Sequence, residues 1–129
     1  MSVTDALDAM RTEVSGCSMV LYADLKSGLV LSTSAIGQPG QEELDAQSGA
    51  AQIALDGLLA EGARPVWAET GDAAVEIACF LTGNDARVFL RSPGDAPEAL
   101  ICLCAPDADL DVVVDCGRRT LADILAISA

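Results

Sequence analysis

The side chains of this 129-residue chain that could do chemistry are its cysteines and carboxylates, because the sequence contains no histidine. Without histidine, histidine-based triads, HExxH sites and most catalytic zinc sites are ruled out. The sequence also has no GxxxxGK[ST] loop and no GxGxxG run after a strand-like segment. It therefore does not resemble a GTPase or a dinucleotide-binding enzyme.

Five cysteines offer the most plausible alternative chemistry. Cys102 and Cys104 flank Leu103, so on a strand their thiols would share a face and, with Cys79 or Cys17, could converge on a soft metal. Metal-binding cysteines usually lie on turns at CxxC spacing, whereas these lie in apolar runs. An odd number of apolar-flanked cysteines favours reduced, buried thiols in a cytoplasmic protein over a disulfide framework.

The carboxylates do not form a recognisable site either. Asp107, Asp109 and Asp111 have the spacing that opens a calcium-binding loop, but Val112 follows where that loop requires glycine. The other acidic residues are typical of helix starts and solvated surface. We therefore predict no catalytic residues, no metal ligands and no cofactor, and we expect that the chain is not an enzyme.

The charge balance argues against two classes of partner. The sequence has 20 acidic and 7 basic residues, a net charge of −13, which disfavours binding to nucleic acid and insertion into or adsorption onto an anionic membrane. The only adjacent cations, Arg118 and Arg119, lie within helical reach of Asp115 and Asp123. Surface charge pairing is the favoured interpretation of these arginines, and a site for an anionic ligand is the alternative.

Length and composition predict one cytoplasmic domain over residues 1–129. The hydrophobic fraction of 51% is enough for a packed core, and no apolar run is long enough to span a membrane. Residues 1–14 lack the basic start and apolar run of a secretory signal. The bias toward Ala, Asp and Arg suggests a bacterial source with GC-rich DNA.

The hydrophobic pattern predicts the element order helix, two strands, helix, three strands, helix. Short breaker-rich links indicate antiparallel hairpins, and five strands packed with helices make an α/β sandwich. Ser2 or Thr4 can cap the first helix, and Asp107 or Asp109 the last. The predicted helices cover residues 3–14, 41–62 and the segment after residue 109; the predicted strands cover residues 17–24, 28–34, 74–81, 86–91 and 99–105.

The middle helix has two apolar faces, whereas an ordinary surface helix has one. One face holds larger residues and would cover the chain's own sheet: Leu44, Ser48, Ala51, Leu55 and Leu58. The nearly opposite face holds mostly small residues, which allow another backbone to approach closely: Ala46, Ala50, Ile53, Gly57 and Ala60. We infer that this second face meets a second copy of the chain. The alternative is an alanine-rich helix with its small face in solvent.

The chain resembles the Roadblock/dynein light chain family over nearly its whole length. Residues 19–34 look like the family's first hairpin, and residues 88–125 look like its last strands and final helix. The sequence departs from the family at 108–111, where an Asn-Leu-Gly-like helix start is common.

The resemblance implies a five-stranded antiparallel sheet in a Roadblock-like, profilin-like sandwich. It further implies a homodimer with a ten-stranded sheet, joined through the middle helix and the strand at residues 74–81, which puts Val75, Ile77 and Cys79 in the interface. Members of the family have no catalytic residues and act as scaffolds or regulators, often of small Ras-like GTPases. The expected partners are thus a second copy and a small Ras-like GTPase or signalling protein.

Two other functions remain open at this point. Sandwiches of this size also serve as small-molecule sensors of the PAS or profilin-like type, which should contain a sizeable pocket. A cysteine-based redox enzyme is the third candidate.

Overall fold

The computed structural model describes residues 1–56, 76–93 and 96–128 of the chain. Within these residues the chain forms three helices and five strands in the predicted order. The helices are α1 (Val3–Glu13), α2 (Gln41–Asp56) and α3 (Leu110–Ser128); the strands are β1 (Cys17–Asp24), β2 (Val30–Ala35), β3 (Ile77–Leu81), β4 (Ala86–Arg91) and β5 (Glu98–Cys104).

The strands form one antiparallel sheet in the order β2-β1-β5-β4-β3. Helices α1 and α3 pack against one face, and α2 packs against the other. The predicted fold class, an α/β sandwich with a five-stranded antiparallel sheet, is confirmed. Among the described strands, β2 and β3 form the two edges of the sheet.

The core lies on both faces of the central strands. Met19, Val20, Leu21 and Tyr22 of β1 are all buried, which confirms that this unbroken apolar run is covered on both sides. Val20 and Tyr22 face the side of α1 and α3, whereas Met19 and Leu21 face α2.

Strand β2 begins at Val30 rather than at Gly28, because the preceding residues form a side-chain-stabilised turn. The Asp24 carboxylate accepts hydrogen bonds from the backbone N–H groups of Lys26 (2.8 Å) and Ser27 (3.2 Å). Gly28 then takes φ of +76°, a conformation that L side chains rarely adopt. The predicted parts of the middle helix at 57–62 and of the following strand at 74–75 lie outside the described residues.

Helix α3 begins directly after Asp109, one of the two aspartates predicted to cap it. The Asp109 carboxylate accepts the backbone N–H groups of Asp111 at 3.1 Å and Val112 at 3.4 Å. Asp109 is thus the N-terminal cap of α3, which accounts for part of the acidic run by helix capping.

Helix α1 begins with a capping box at Ser2. The Ser2 hydroxyl accepts the Asp5 N–H at 3.2 Å, and the Asp5 carboxylate accepts the Ser2 N–H at 3.0 Å. The hydrogen bond from the Ser2 N–H lowers the pKa of Asp5. The capping box therefore stabilises the helix above that pKa, and this stabilisation is lost as pH falls through it and Asp5 is protonated.

Substituting Ser2→Ala should lower the free energy of unfolding by about 1 kcal/mol, because one orphan N–H of α1 loses its partner. The difference from wild type should shrink in acid, where Asp5 is protonated. Urea unfolding followed by circular dichroism measures both effects. Thr12→Ala is the matched control, since its hydroxyl bonds to Asp8 within the same helix. An equal loss in both variants would contradict the capping role.

Candidate interaction surface on α2 and β3

Helix α2 is fixed to the sheet by its larger-residue face. Ala51 and Leu55 of that face are buried beneath the helix. Two side chains also tie it to the β1–β2 turn: the Ser48 hydroxyl donates to the Gly28 carbonyl at 2.7 Å, and the Gln52 amide donates to the Leu25 carbonyl at 2.8 Å. These contacts fix which side of α2 faces away from its own protomer.

The small-residue face of α2 points outward for the most part. Ala46 is exposed and Ile53 is 52% exposed, although isoleucine is usually buried. Ala50 is half-buried and packs partly against the core under its own helix. Gly57 and Ala60 lie outside the described residues. The contact of this face with a second copy stays a prediction.

Strand β3 is an edge strand without a charged residue. Its sequence is Ile-Ala-Cys-Phe-Leu, and it pairs with β4 on one side. Cys79 is exposed and Leu81 is 63% exposed, whereas Ile77 is half-buried against the core. An exposed, apolar edge strand favours association with another strand, and among the described residues β3 has no strand beside its outer edge.

The hydrogen bonds around the β3–β4 hairpin show which backbone groups of β3 face the free edge. Arg91 N–H donates to the Glu76 carbonyl at 2.8 Å, and Thr82 N–H donates to the Asp85 carbonyl at 2.9 Å. In an antiparallel pair, the residues whose backbone N–H and C=O groups point toward the partner strand alternate along the chain. The backbone groups of even-numbered residues from 76 to 82 therefore point toward β4. Those of the odd-numbered residues point toward the free edge: Ile77, Cys79 and Leu81.

Two of these three edge residues, Ile77 and Cys79, belong to the predicted interface. Val75, the third residue predicted for this strand, lies outside the described residues. Leu81 was missed, although it continues the same alternation one step beyond Cys79. That alternation was the signal that could have found it.

The opposite edge, β2, differs from β3 in two respects. Its pairing with β1 is interrupted by a bulge between Tyr22 and Ala23, next to Leu31. Its own residues carry no charge, but it makes a polar contact to α1, where Ser34 donates to Asp8 and accepts from Arg11 Nε at 2.8 Å. A bulge is one of the features that keep edge strands from pairing. Of the two edges, β3 is therefore the one suited to pairing.

Four of the cysteines lie in the core between the sheet and helices α1 and α3: Cys17, Cys102, Cys104 and Cys116. Val88 of β4 lies between Cys79 and Cys102, so these two thiols do not meet, as the metal-site alternative with Cys79 would have required. In the part of the chain that the structure describes, no group of three or more Cys, Asp or Glu residues is arranged to hold a metal ion.

Cys116 has a polar partner. Its thiol donates to Glu13 Oε2 at 3.0 Å, and burial together with this carboxylate raises the pKa of Cys116 to about 11. Arg119 bonds to the other Glu13 oxygen at 3.3 Å, rather than to a carboxylate of its own helix as the spacing predicted. The hydrogen bond from Cys116 and then Arg119 lower the pKa of Glu13. These groups join α3 to α1.

No helix in the described ranges is both long and apolar enough to cross a membrane.

Comparison with protein-family models and with curated proteins found no match. Comparison with solved structures found a Roadblock/LC7 domain from Streptomyces avermitilis, at a TM-score of 0.79 and 14% identity over 98% of both chains. The gliding protein MglB from Thermus thermophilus follows at 0.73 and 18%, over 97% of this chain and 87% of that one. MglC from Myxococcus xanthus matches at 0.64 and 14%, over 98% of both. These likenesses confirm the fold that the sequence resemblance implied.

Proposed function

We propose, from the premise that the chain has the Roadblock/LC7 fold, that it is a non-enzymatic homodimeric module that regulates or scaffolds a small Ras-like GTPase in a bacterial signalling system. The resemblance to this family implies such a partner, and two of the similar structures are bacterial proteins named MglB and MglC. The observation that carries the homodimer is the uncharged, exposed edge of β3.

The direction in which backbone groups point restricts how two β3 edges can pair. Two antiparallel strands related by a two-fold axis form hydrogen-bonded pairs only between residues whose backbone N–H and C=O groups both point toward the shared edge. Pairing that uses all three outward residues of β3 sets Cys79 opposite the partner's Cys79, and Ile77 opposite the partner's Leu81. The paired strands would make one continuous ten-stranded sheet.

The same symmetry accounts for the small-residue face of α2. An antiparallel pairing requires the two-fold axis to run perpendicular to the sheet, which leaves both α2 helices on the same face. Packed helices approach to about 8–10 Å, and small residues favour the shorter distance. Ala46, Ala50 and Ile53 are the described residues of α2 that would face the partner helix.

Light scattering on the purified chain tests the homodimer. The expected result at micromolar concentration is twice the 13.2 kDa mass of the chain. A monomer at that concentration would contradict the proposed assembly.

The test of the partner uses a small Ras-like GTPase from the same genome, chosen for a gene next to that of this chain. We expect direct binding to that GTPase and a changed rate of GTP hydrolysis, with an unrelated Ras-like GTPase as the control. Equal behaviour toward both GTPases would argue against a specific regulator. Stabilisation by a small metabolite in a thermal-shift screen would instead favour the sensor alternative.

A further inference from the structure

A second feature of the molecule, independent of the β3 edge, is a facing pair of cysteines in the core. Cys17 is the first residue of β1 and Cys104 is the last residue of β5, and the two are direct partners in the β1–β5 pairing. They are 5% and 3% exposed. The two thiols therefore lie side by side at one end of the sheet, under α1 and α3.

The pairing type at this position brings the two backbones close together. Ala105 N–H donates to the Gly16 carbonyl at 3.0 Å, and this bond flanks the cysteine pair. Cys17 and Cys104 thus occupy a non-hydrogen-bonded position, where facing Cα atoms are about 4.5 Å apart. Disulfides span Cα separations of about 4.4–6.8 Å, so a bond can form with little movement of the backbone.

We propose that Cys17 and Cys104 are a redox modification site, at which hydrogen peroxide converts the two thiols into a reversible disulfide that links the start of β1 to the end of β5.

The surroundings assign different roles to the two sulfurs. A hydrogen bond from the Cys104 thiol lowers the pKa of Cys17 despite its burial, with the contact to the Met19 carbonyl and then the Arg11 charge as smaller contributions. The same thiol–thiol hydrogen bond and burial raise the pKa of Cys104 far above its usual range. Since the thiolate is the nucleophile, the proposed reaction has Cys17 attack first and Cys104 resolve.

The reaction balances with one peroxide. The Cys17 thiolate attacks a peroxide oxygen, an S–O bond forms, the O–O bond breaks, and hydroxide leaves to give sulfenic acid and, once protonated, water. The Cys104 sulfur then attacks the Cys17 sulfur, the S–O bond breaks, and the departing hydroxide leaves as water with the Cys104 proton. In total, two thiols and one hydrogen peroxide yield one disulfide and two waters.

The other buried cysteines have different neighbours. Cys102 lies opposite Val20 and has its sulfur 4.0 Å from that of Met10, while Cys116 donates to Glu13. Neither faces a second thiol across a strand pair, so the geometry selects the Cys17–Cys104 bond.

The test uses the Cys79→Ser variant, which removes the exposed thiol and leaves four of the five cysteines. After treatment with hydrogen peroxide and quenching, the unfolded protein is alkylated and its mass measured. Two of the four thiols should escape alkylation, peptide mapping should link Cys17 to Cys104, and dithiothreitol should restore all four. The oxidised protein should also unfold at higher urea concentration.

Matched variants separate this site from general oxidation. Cys17→Ser and Cys104→Ser should each abolish the disulfide, whereas Cys102→Ser and Cys116→Ser should keep it. Should a serine variant fail to fold by circular dichroism, Cys17→Ala and Cys104→Ala replace it. Four alkylated thiols after peroxide, or a link that involves Cys102 or Cys116, would overturn the proposal whatever the oligomeric state.

Discussion

Proline at position 79 should convert the proposed dimer into a monomer and leave the protomer folded. The N–H of Cys79 points away from β4, so its loss removes no hydrogen bond between the described strands of one chain. Proline is tolerated in edge strands for this reason. In the proposed assembly, however, this N–H donates to the partner's Cys79, and the proline ring would occupy the space of the approaching strand.

Thr33→Pro is the matched control for Cys79→Pro, because Thr33 holds the equivalent position on the opposite edge. Ile36 N–H donates to the Ser18 carbonyl at 2.9 Å, and alternation from Ile36 directs the N–H of Thr33 outward from β2. Light scattering at micromolar concentration should give half the wild-type mass for Cys79→Pro and the wild-type mass for Thr33→Pro. A dimeric Cys79→Pro, or a monomeric Thr33→Pro with native circular dichroism, would contradict pairing through β3.

The register of the pairing has a separate consequence. In a hydrogen-bonded antiparallel pair the facing Cα atoms are about 5.5 Å apart, within the range of a disulfide. Mild oxidation should therefore cross-link two wild-type chains through Cys79, and the rate should rise with pH because the thiolate is the reactive form. Partial burial raises the pKa of Cys79, so the rise should occur at higher pH than for a fully exposed cysteine. A dimer that never cross-links would refute the register centred on Cys79 but not the dimer itself.

Local sequence patterns were enough to place most elements of this fold. The bounds of β1 and β4 match the prediction because breakers such as Pro93 end each apolar run at once. The larger face of α2 was also recognisable, since helical periodicity depends only on neighbouring residues. The start of β2 was placed too early, because the Asp24 turn depends on a side chain that accepts backbone N–H groups.

Contacts between distant parts of the chain were beyond the reach of such patterns. The pairing of β1 with β5 joins Cys17 to Cys104, and the contact of Arg119 with Glu13 joins two helices across most of the chain. Periodicity says which face of an element is apolar but not which element covers it. The assignment of the strand that contains Cys79 to the interface rested on the family resemblance alone.

An aromatic pair joins the β3 edge to the core. Phe80 lies on the β3 edge and Phe89 lies inside β4, with ring centroids 5.1 Å apart in an edge-on arrangement of 70°. Phe89 is fully buried, whereas Phe80 is only partly covered. The β3 edge is therefore packed through Phe80 onto a ring in the α2 side of the core, and edge-on aromatic pairs add to the energy of burial.

Phe89→Ala should lower the free energy of unfolding by about 3–5 kcal/mol, because it removes a fully buried ring from a closely packed site and leaves a cavity. Phe80→Ala, the matched change in the other ring of the pair, should cost about half as much or less, since part of that ring is already exposed. Urea unfolding followed by circular dichroism at one fixed protein concentration gives both values. Repeating it at tenfold higher concentration separates the contribution of the dimer, which alone depends on concentration. Equal losses for the two phenylalanines at both concentrations would contradict the prediction that the more deeply buried ring contributes more to stability.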